Sequence, residues 1–351
     1  MLMSCVGSAL AEDQTVTYRN IKTMGMGNAR IAGGHSYNGF IDNPALLSRV
    51  EFLRFSVLNL PVTVNDDLTD IGNFIDDNSD NFENYDNLTD QERAEFLKDI
   101  EEYEGVWGRA FVSPLIDVAA NVGGYGLGLA VYDRVSASLK VDRGIYEPRV
   151  WGEGRSDMAV VLGVAKPLTM LYPGLTVGLN LTYLQRRRSD VFQIKASDLG
   201  SLTDTLDPVR DKIKDNSNGT MAADLGVLWD VPLIDSQVGA TVRSIGDGRG
   251  STFDVGVARK FYDDHLLLLA DLIDITDNDR ENYLQKLNIG AQYSVWYLAA
   301  RAGIYEGYAT LGAGLDFRFV DLDFAWYTEE YSNAPGLEDD SRLAFQLKFG
   351  Y

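Results

Sequence analysis

Arg342-Leu343-Ala344-Phe345-Gln346-Leu347-Lys348-Phe349-Gly350-Tyr351 alternates without a break. Leu343, Phe345, Leu347, Phe349 and Tyr351 fall on one face, and Arg342, Ala344, Gln346, Lys348 and Gly350 on the other. Period two marks a strand with one apolar face and one polar or small face. A soluble sheet can carry such a strand at its edge. A transmembrane β-barrel closes with one: the apolar face meets lipid, the polar face meets the lumen, and the final aromatic sits in the interface girdle. The two readings separate on whether the rest of the chain repeats the pattern.

It does. In residues 125–141, Tyr125, Leu127, Leu129, Val131, Val135, Ala137, Leu139 and Val141 oppose Gly126, Gly128, Arg134, Ser136, Ser138 and Lys140, and only Asp133 breaks the apolar side. In residues 310–319, Leu311, Ala313, Leu315, Phe317 and Phe319 oppose Thr310, Gly312, Gly314, Asp316 and Arg318. The strands expected are 50–64, 115–121, 125–141, 157–166, 175–191, 221–229, 237–244, 252–261, 266–275, 285–295, 297–305, 310–319, 321–331 and 342–351. That is about fourteen, an even number as single-chain bacterial barrels have.

Connection lengths test the reading. If the closing strand ends in the periplasm, the inner connections are 319–321, 295–296, 262–265, 230–236, 167–174 and 122–124, all short. The outer ones include 332–341, 276–284, 192–220, 142–156 and 65–114, mostly long; 245–251 and 306–309 are short exceptions. Short periplasmic turns with long external loops are the asymmetry of outer-membrane barrels. A soluble sandwich has no reason to sort its loops by parity. The fold expected is therefore all-β, a transmembrane antiparallel barrel with an N-terminal plug and short helices in its extracellular loops.

Composition agrees. The 351 residues carry 31 Lys and Arg against 52 Asp and Glu, a formal charge of −21, so the basic footprint of a nucleic-acid partner is missing. The longest aliphatic run, residues 266–270, is far short of the roughly 18 residues a spanning helix needs, so any crossing uses strands. Residues 1–11 read as the remnant of a signal peptide, with Ala9-Leu10-Ala11 as a small-x-small cleavage site and no basic n-region ahead of it. Leu2-Met3-Ser4-Cys5 loosely resembles a lipoprotein box and stands second to simple cleavage. Cys5 is the only cysteine, so the mature chain has no disulfide in either case.

Residues 12–49 are rich in Gly and turns: Met24-Gly25-Met26-Gly27, Gly33-Gly34 and Asn43-Pro44-Ala45-Leu46-Leu47. Ile31, Phe40, Ile41 and Leu46 give this stretch apolar anchors that a disordered leader would not need. We read it as a plug in the periplasmic mouth, with residues 50–351 as the barrel. In the first outer loop, Thr89-Asp90-Gln91-Glu92 is a capping box, after which Phe96, Ile100 and Tyr103 share a helix face. Leu68, Ile71, Phe74 and Ile75 make a shorter amphipathic turn upstream. Leu202, Leu206, Val209 and Ile213 repeat at helical spacing in 192–220. Such faces either pack on the barrel rim or form a greasy landing groove. The groove reading makes Leu68, Ile71, Phe74, Phe96, Ile100 and Tyr103 the ligand-binding candidates.

Several short elements resemble the FadL-like superfamily of outer-membrane barrels, which groups long-chain fatty-acid transporters with PorV-type and TraF-like proteins. Met24-Gly25-Met26-Gly27-Asn28-Ala29, Ile31-Ala32 and Asn43-Pro44-Ala45-Leu46 look like its amino-terminal elements. Arg301-Ala302-Gly303-Ile304, Leu311-Gly312-Ala313-Gly314-Leu315 and Asp323-Phe324-Ala325-Trp326-Tyr327 look like its carboxy-terminal ones. The resemblance covers both ends of the chain, and the middle by architecture. It implies a fourteen-stranded barrel in the bacterial outer membrane, closed by a hatch that includes Gly25, Gly27, Asn43, Pro44 and Ala45. It also implies that hydrophobic cargo lands outside, enters a lumen pocket and leaves when the hatch or a wall opening shifts. One departure matters: Asp66, Asp67, Asp70, Asp76, Asp77, Asp80, Glu83 and Asp86 make the first outer loop acidic. That charge repels a fatty-acid carboxylate unless cations screen it, and leaves uncharged cargo unaffected.

Chemistry for catalysis is thin. His35 sits in the plug without a nucleophile, and His265 follows Asp263-Asp264 in a short inner turn. Asp76-x-Asn78-x-Asp80 imitates the start of a calcium loop, but Asn81 and Asn87 stand where Gly and Glu are required. No metal or cofactor is expected. Arg186-Arg187-Arg188 can meet lipopolysaccharide phosphates or pair with the acidic loops. The function expected is passage of small hydrophobic molecules, with outer-membrane lipid around the barrel. The alternative is a non-conducting surface or secretion/conjugation accessory barrel that binds protein partners, and a barrel enzyme ranks last.

Overall fold

The computed structural model describes residues 18–33, 38–144, 148–169, 172–189, 191–195, 217–232, 235–248, 250–278, 282–332, 336 and 339–351. The signal segment, His35 and the helical pattern from Leu202 to Ile213 lie outside the described residues.

Sequence alternation becomes one closed antiparallel sheet. Its segments are β1 (Leu53–Asn65), β2 (Gly108–Val112), β3 (Leu115–Val122), β4 (Tyr125–Asp142), β5 (Arg149–Pro167), β6 (Leu175–Arg188), β7 (Phe192–Lys195) and β8 (Ser217–Val231). They continue with β9 (Ser236–Ile245), β10 (Thr252–Phe261), β11 (Leu266–Leu272), β12 (Leu287–Val295), β13 (Leu298–Tyr305), β14 (Tyr308–Asp316), β15 (Val320–Glu330) and β16 (Asp339–Gly350). β2 and β3 both lie between β1 and β4, so they are one strand interrupted at Ser113-Pro114. β7 continues β6 along β5 in the same way. The wall therefore has 14 strands, and β16 pairs with β1 to close it.

Along the wall the described strands sort their side chains by parity. Leu162 and Leu311 point outward and are 55% and 54% exposed, whereas Ala325 and Arg342 point into the lumen and are fully buried. The outward face is the apolar band that lipid requires; the lumen side is polar. Aromatics collect at the short-turn ends of the strands: Tyr297 stacks on Phe317 at 5.4 Å, Phe319 meets Tyr351 at 5.8 Å, and Tyr172 meets Trp229 at 5.6 Å. Turn chemistry fits the short inner connections. Gly123 and Gly124, at φ +62° and +82°, make a primed hairpin turn, and Asn121 accepts the Gly124 N–H.

Several strand boundaries differ from the sequence reading, and Gly108–Val112 pairs as a strand inside the outer connection expected at 65–114. The outer connection expected at 142–156 contracts to 143–148, because β5 starts at Arg149 and pairs with β4 out to Asp142. Gly152 and Gly154 on the apolar parity hid this extension. The strand expected from 285 starts at Leu287, after a helical turn, α5 (Tyr283–Lys286), capped by Asn282. The amino-terminal segment holds another short turn, α1 (Ile21–Met24), and the first outer loop holds α2 (Asp66–Asp77), α3 (Ser79–Glu83) and α4 (Asp90–Glu101). The capping box forms as read: Thr89 Oγ1 accepts the Glu92 N–H while Glu92 accepts the Thr89 N–H.

The segment before β1 lies inside the cylinder. It fits because the lumen face carries a belt of glycines where backbone meets backbone. A Cβ at Gly178 would stand 2.4 Å from Pro44, one at Gly226 2.2 Å from Asn43, one at Gly239 2.5 Å from Ile31, and one at Gly290 2.2 Å from Met26. No side chain fits at such distances.

Candidate functional site

The inner segment is held by side chains from around the wall. Asp271 on β11 accepts the Arg30 and Ile31 N–H groups. Asn180 on β6 donates to the Phe40 carbonyl at 2.7 Å, and Gln346 on β16 accepts from Ile21 N–H at 2.8 Å. Gly27 N–H donates to Thr310 Oγ1 at 3.0 Å. Asn43 caps the turn it opens by accepting from Ala45 N–H, and donates to the Ile31 carbonyl at 2.8 Å and the Val227 carbonyl at 3.2 Å. Within the segment, Arg30 pairs with Asp42 at 2.8 Å. Each bond satisfies a buried polar group that would otherwise cost about 1–3 kcal/mol.

Above this segment lies a cavity of about 50 Å³, bounded by β4, β5, β6, β8 and the β9–β10 turn. Its floor and one wall are apolar: Ile41 from the inner segment, Tyr132, Val161 and Leu184. The other wall is polar, with Thr182, Asp224, Arg243 and Ser244. At its outer side Arg186 on β6 holds Asp247 in a two-pronged pair, with bonds of 3.1 and 2.8 Å. Arg243 is held by Asp254 at 2.6 Å. An apolar surface with a few fixed polar groups is the usual make-up of a small-molecule site.

The wall has a weak seam between β1 and β2–β3. Pro61 stands opposite Ser113 without an N–H to give to the β1–β2 ladder, Pro114 interrupts the facing strand between β2 and β3, and β1 is irregular between Ser56 and Asn59. Ser113 N–H still reaches the Pro61 carbonyl at 3.0 Å, and Asp133 N–H the Pro114 carbonyl at 3.2 Å. Beside the seam on the outward face, Asp133 accepts from Ser156 Oγ at 3.0 Å. This is the one residue that broke the apolar side of β4 in the sequence.

Five of the six residues put forward for the landing groove come together. Ile71, Phe74, Phe96 and Ile100 form one buried cluster with Phe82, Val141 and Val150, and Tyr103 packs against it, its ring 4.6 Å from Phe74. Val141 and Val150 have the outward parity of β4 and β5, so the helices cover the outer-wall face of that hairpin. Leu68 stands apart, lodged against Gly108 on β2. Phe96 is 2% and Ile100 0% exposed, so the cluster presents no open groove. Gly25, Gly27, Asn43, Pro44 and Ala45, all in the inner segment, lie against the glycine belt: Gly25 meets Gly312, Gly27 meets Gly303, Asn43 meets Gly226, and Pro44 and Ala45 meet Gly178.

Sequence reading missed the cavity and the belt. The belt's signal was glycine on the polar parity of successive strands, read only as a small face. The seam's signal was proline inside a strand pattern. Arg186-Arg187-Arg188 splits by alternation: Arg186 turns inward to Asp247, while Arg187 turns outward and donates to Gln185 at 3.0 Å. His265 lies exposed in its turn, with Nδ1 2.8 Å from the Ser294 carbonyl, and Asp264 beside it pairs with Lys260 at 3.0 Å.

No protein-family model and no curated protein sequence matches the chain. Solved structures do. The chain superposes on the toluene transporter TodX of P. putida with a TM-score of 0.56 at 13% identity, covering 95% of this chain and 98% of that one. The toluene transporter TbuX of Ralstonia pickettii gives 0.56 at 15% identity, with 95% and 98% covered. The CymD monoaromatic hydrocarbon channel gives 0.52 at 13% identity, with 93% and 96% covered. The chain has the fold of these hydrocarbon-channel barrels.

Proposed function

We propose that this barrel sits in the bacterial outer membrane and passes small, uncharged hydrophobic molecules of about the size of a single aromatic ring. The observation that carries the reading is the cavity: an apolar wall of Ile41, Tyr132, Val161 and Leu184 lies in the lumen, directly on the inner segment. The shared fold with toluene and monoaromatic hydrocarbon channels supports it. Burial of apolar cargo against that wall is favourable by roughly 25 cal/mol per Å², and the polar sugar layer outside the membrane is what the barrel bypasses.

The cavity is about 50 Å³, whereas an apolar cavity of about 150 Å³ takes benzene. Cargo therefore widens it, and the Arg186–Asp247 pair at its outer side is the part that can swing. The β9–β10 turn that carries Asp247 has Gly246 and Gly248 at positive φ, which suits such a movement. Residues 12–49 act as the hatch, which blocks straight passage. The irregular seam of β1 with β2 and β3, where Pro61 gives no N–H to the ladder, offers a way out of the lumen into lipid. The helical cluster around Phe96 shields the outer wall above that seam and receives cargo only when its helices part. Arg187 faces the lipopolysaccharide phosphates. On this reading the protein is a passive channel without catalysis.

The test is uptake in cells with intact lipopolysaccharide. Expression in a strain lacking its own hydrocarbon channels should raise toluene entry several-fold, and Leu184→Arg should abolish the gain. Toluene entry equal to that of an empty vector would overturn the reading. A sealed accessory barrel is the second reading, favoured by the filled lumen; a stable protein partner together with zero uptake would support it.

A further inference from the structure

The cavity's charged groups, two Arg and two Asp, balance in number but are not all paired. Arg186 is taken by Asp247 and Arg243 by Asp254, the latter pair joined by Thr241 Oγ1. Asp224 makes no ion pair among the described residues, and its one hydrogen bond there is from Ser244 N–H to Oδ1 at 2.8 Å. Oδ2 is left without a partner among the described residues, on a carboxylate that lines the cavity opposite Tyr132 and Val161. Asp224 sits at this height because β8 pairs it with Asn180, beside the Thr182 and Leu184 register of β6.

A pure hydrocarbon entering this space would strip water from that carboxylate and return nothing. Removing hydrogen-bond partners from a buried polar group costs about 1–3 kcal/mol, more for an ion. A cargo whose ring meets Ile41 and Leu184, and whose single O–H donates to Asp224 Oδ2, recovers that cost through a charge-assisted bond. A carboxylate cargo is repelled by Asp224. An ammonium cargo must shed its full hydration shell to enter.

We infer that the preferred cargo is a small neutral aromatic carrying one hydroxyl donor, a simple phenol, with Asp224 as the residue that selects it over the bare hydrocarbon. The inference rests on the proposed transport reading, since it concerns the same cavity. Sites built to receive a hydrogen bond reject analogues that lack it far more strongly than apolar pockets discriminate by size.

The experiment measures binding to the detergent-solubilised full chain by calorimetry, with four probes: p-cresol, 4-methylanisole, toluene and benzylamine. The methyl ether keeps the oxygen and removes only the donor. The expected result is that p-cresol binds at least ten-fold more tightly than 4-methylanisole and toluene. Asp224→Asn, which can still accept from Ser244 N–H and so preserves the local fold, should shrink that gap below three-fold. Equal affinity for p-cresol and 4-methylanisole, or a gap that persists in Asp224→Asn, would overturn the inference while leaving transport of aromatics standing. Tightest binding by benzylamine would overturn it in favour of a cationic cargo. Binding of none of the four would remove the transport reading itself.

Discussion

Tyr351 and Phe55 exchange both backbone hydrogen bonds, each 2.8 Å long, one residue beyond the last pair of the β1–β16 ladder. The β1–β16 closure of the cylinder thus runs out to Tyr351 at its short-turn end. The seal depends on parity, since Phe345 and Phe349 face lipid while Gln346 and Lys348 face the lumen. Phe345→Arg should therefore cost about 2–4 kcal/mol in unfolding from lipid vesicles, the figure for Arg deep in the lipid band of a barrel. Equal stability of variant and wild type in urea titrations of vesicle-embedded protein would contradict the lipid assignment of that face.

The glycine belt makes a separate claim. Gly178→Val places a side chain where Pro44 and Ala45 now lie. The barrel should still assemble, because Gly178 keeps its backbone ladder with Ala165 and Gly226. The inner segment should be displaced, and single-channel recordings should show a steady ionic leak absent from wild type. A silent bilayer with properly folded Gly178→Val would mean that the segment does not close the lumen.

The helical cluster of the first outer loop is expected to behave as a packed core. Phe96→Ala should destabilise it by about 3–5 kcal/mol, as for other buried aromatic truncations. Limited proteolysis should then cut between α2 and α4 while the barrel remains intact. If Phe96→Asp combined with Ile100→Asp leaves uptake of hydrophobic probes unchanged, the cluster has no part in receiving cargo.

The cap of α4 carries a pH signature. Hydrogen bonds from the Thr89 N–H and hydroxyl hold the Glu92 carboxyl below its usual range. A folded-state pKa below the unfolded one contributes stability that is present above the unfolded value and is lost as pH falls through the folded one. Amide protection in the first turn of α4, taken relative to intrinsic exchange at each pH, should therefore fall below about pH 4. Thr89→Ala should exchange faster at neutral pH and lose most of that pH dependence. An unchanged profile in Thr89→Ala would show that the cap does not hold the helix.

The barrel was legible because a rule of alternation runs through the wall: outward positions are mostly apolar, so period two stays readable along it and is broken only locally, as at Asp133 and in the irregular part of β1. The capping box at Thr89 and Glu92 was legible because it is local. The cavity was not, because Ile41, Val161, Leu184 and Asp224 come from separate elements brought together only by register. The glycine belt lay hidden for a related reason. Gly178 and Gly290 look alike to a parity reading whether they face water or another backbone. β5 ran longer than expected because Gly152 and Gly154 on its apolar side carried no signal, although Val150 beyond them is buried under the loop helices.

The most direct measurement is a crystal of the protein soaked with 4-bromotoluene, with bromine located by anomalous scattering. The account expects a bromine peak in the lumen between Ile41, Tyr132, Val161 and Leu184, with the Arg186–Asp247 pair parted. A lumen free of bromine, with peaks only on the lipid-facing wall or among α2, α3 and α4, would contradict it.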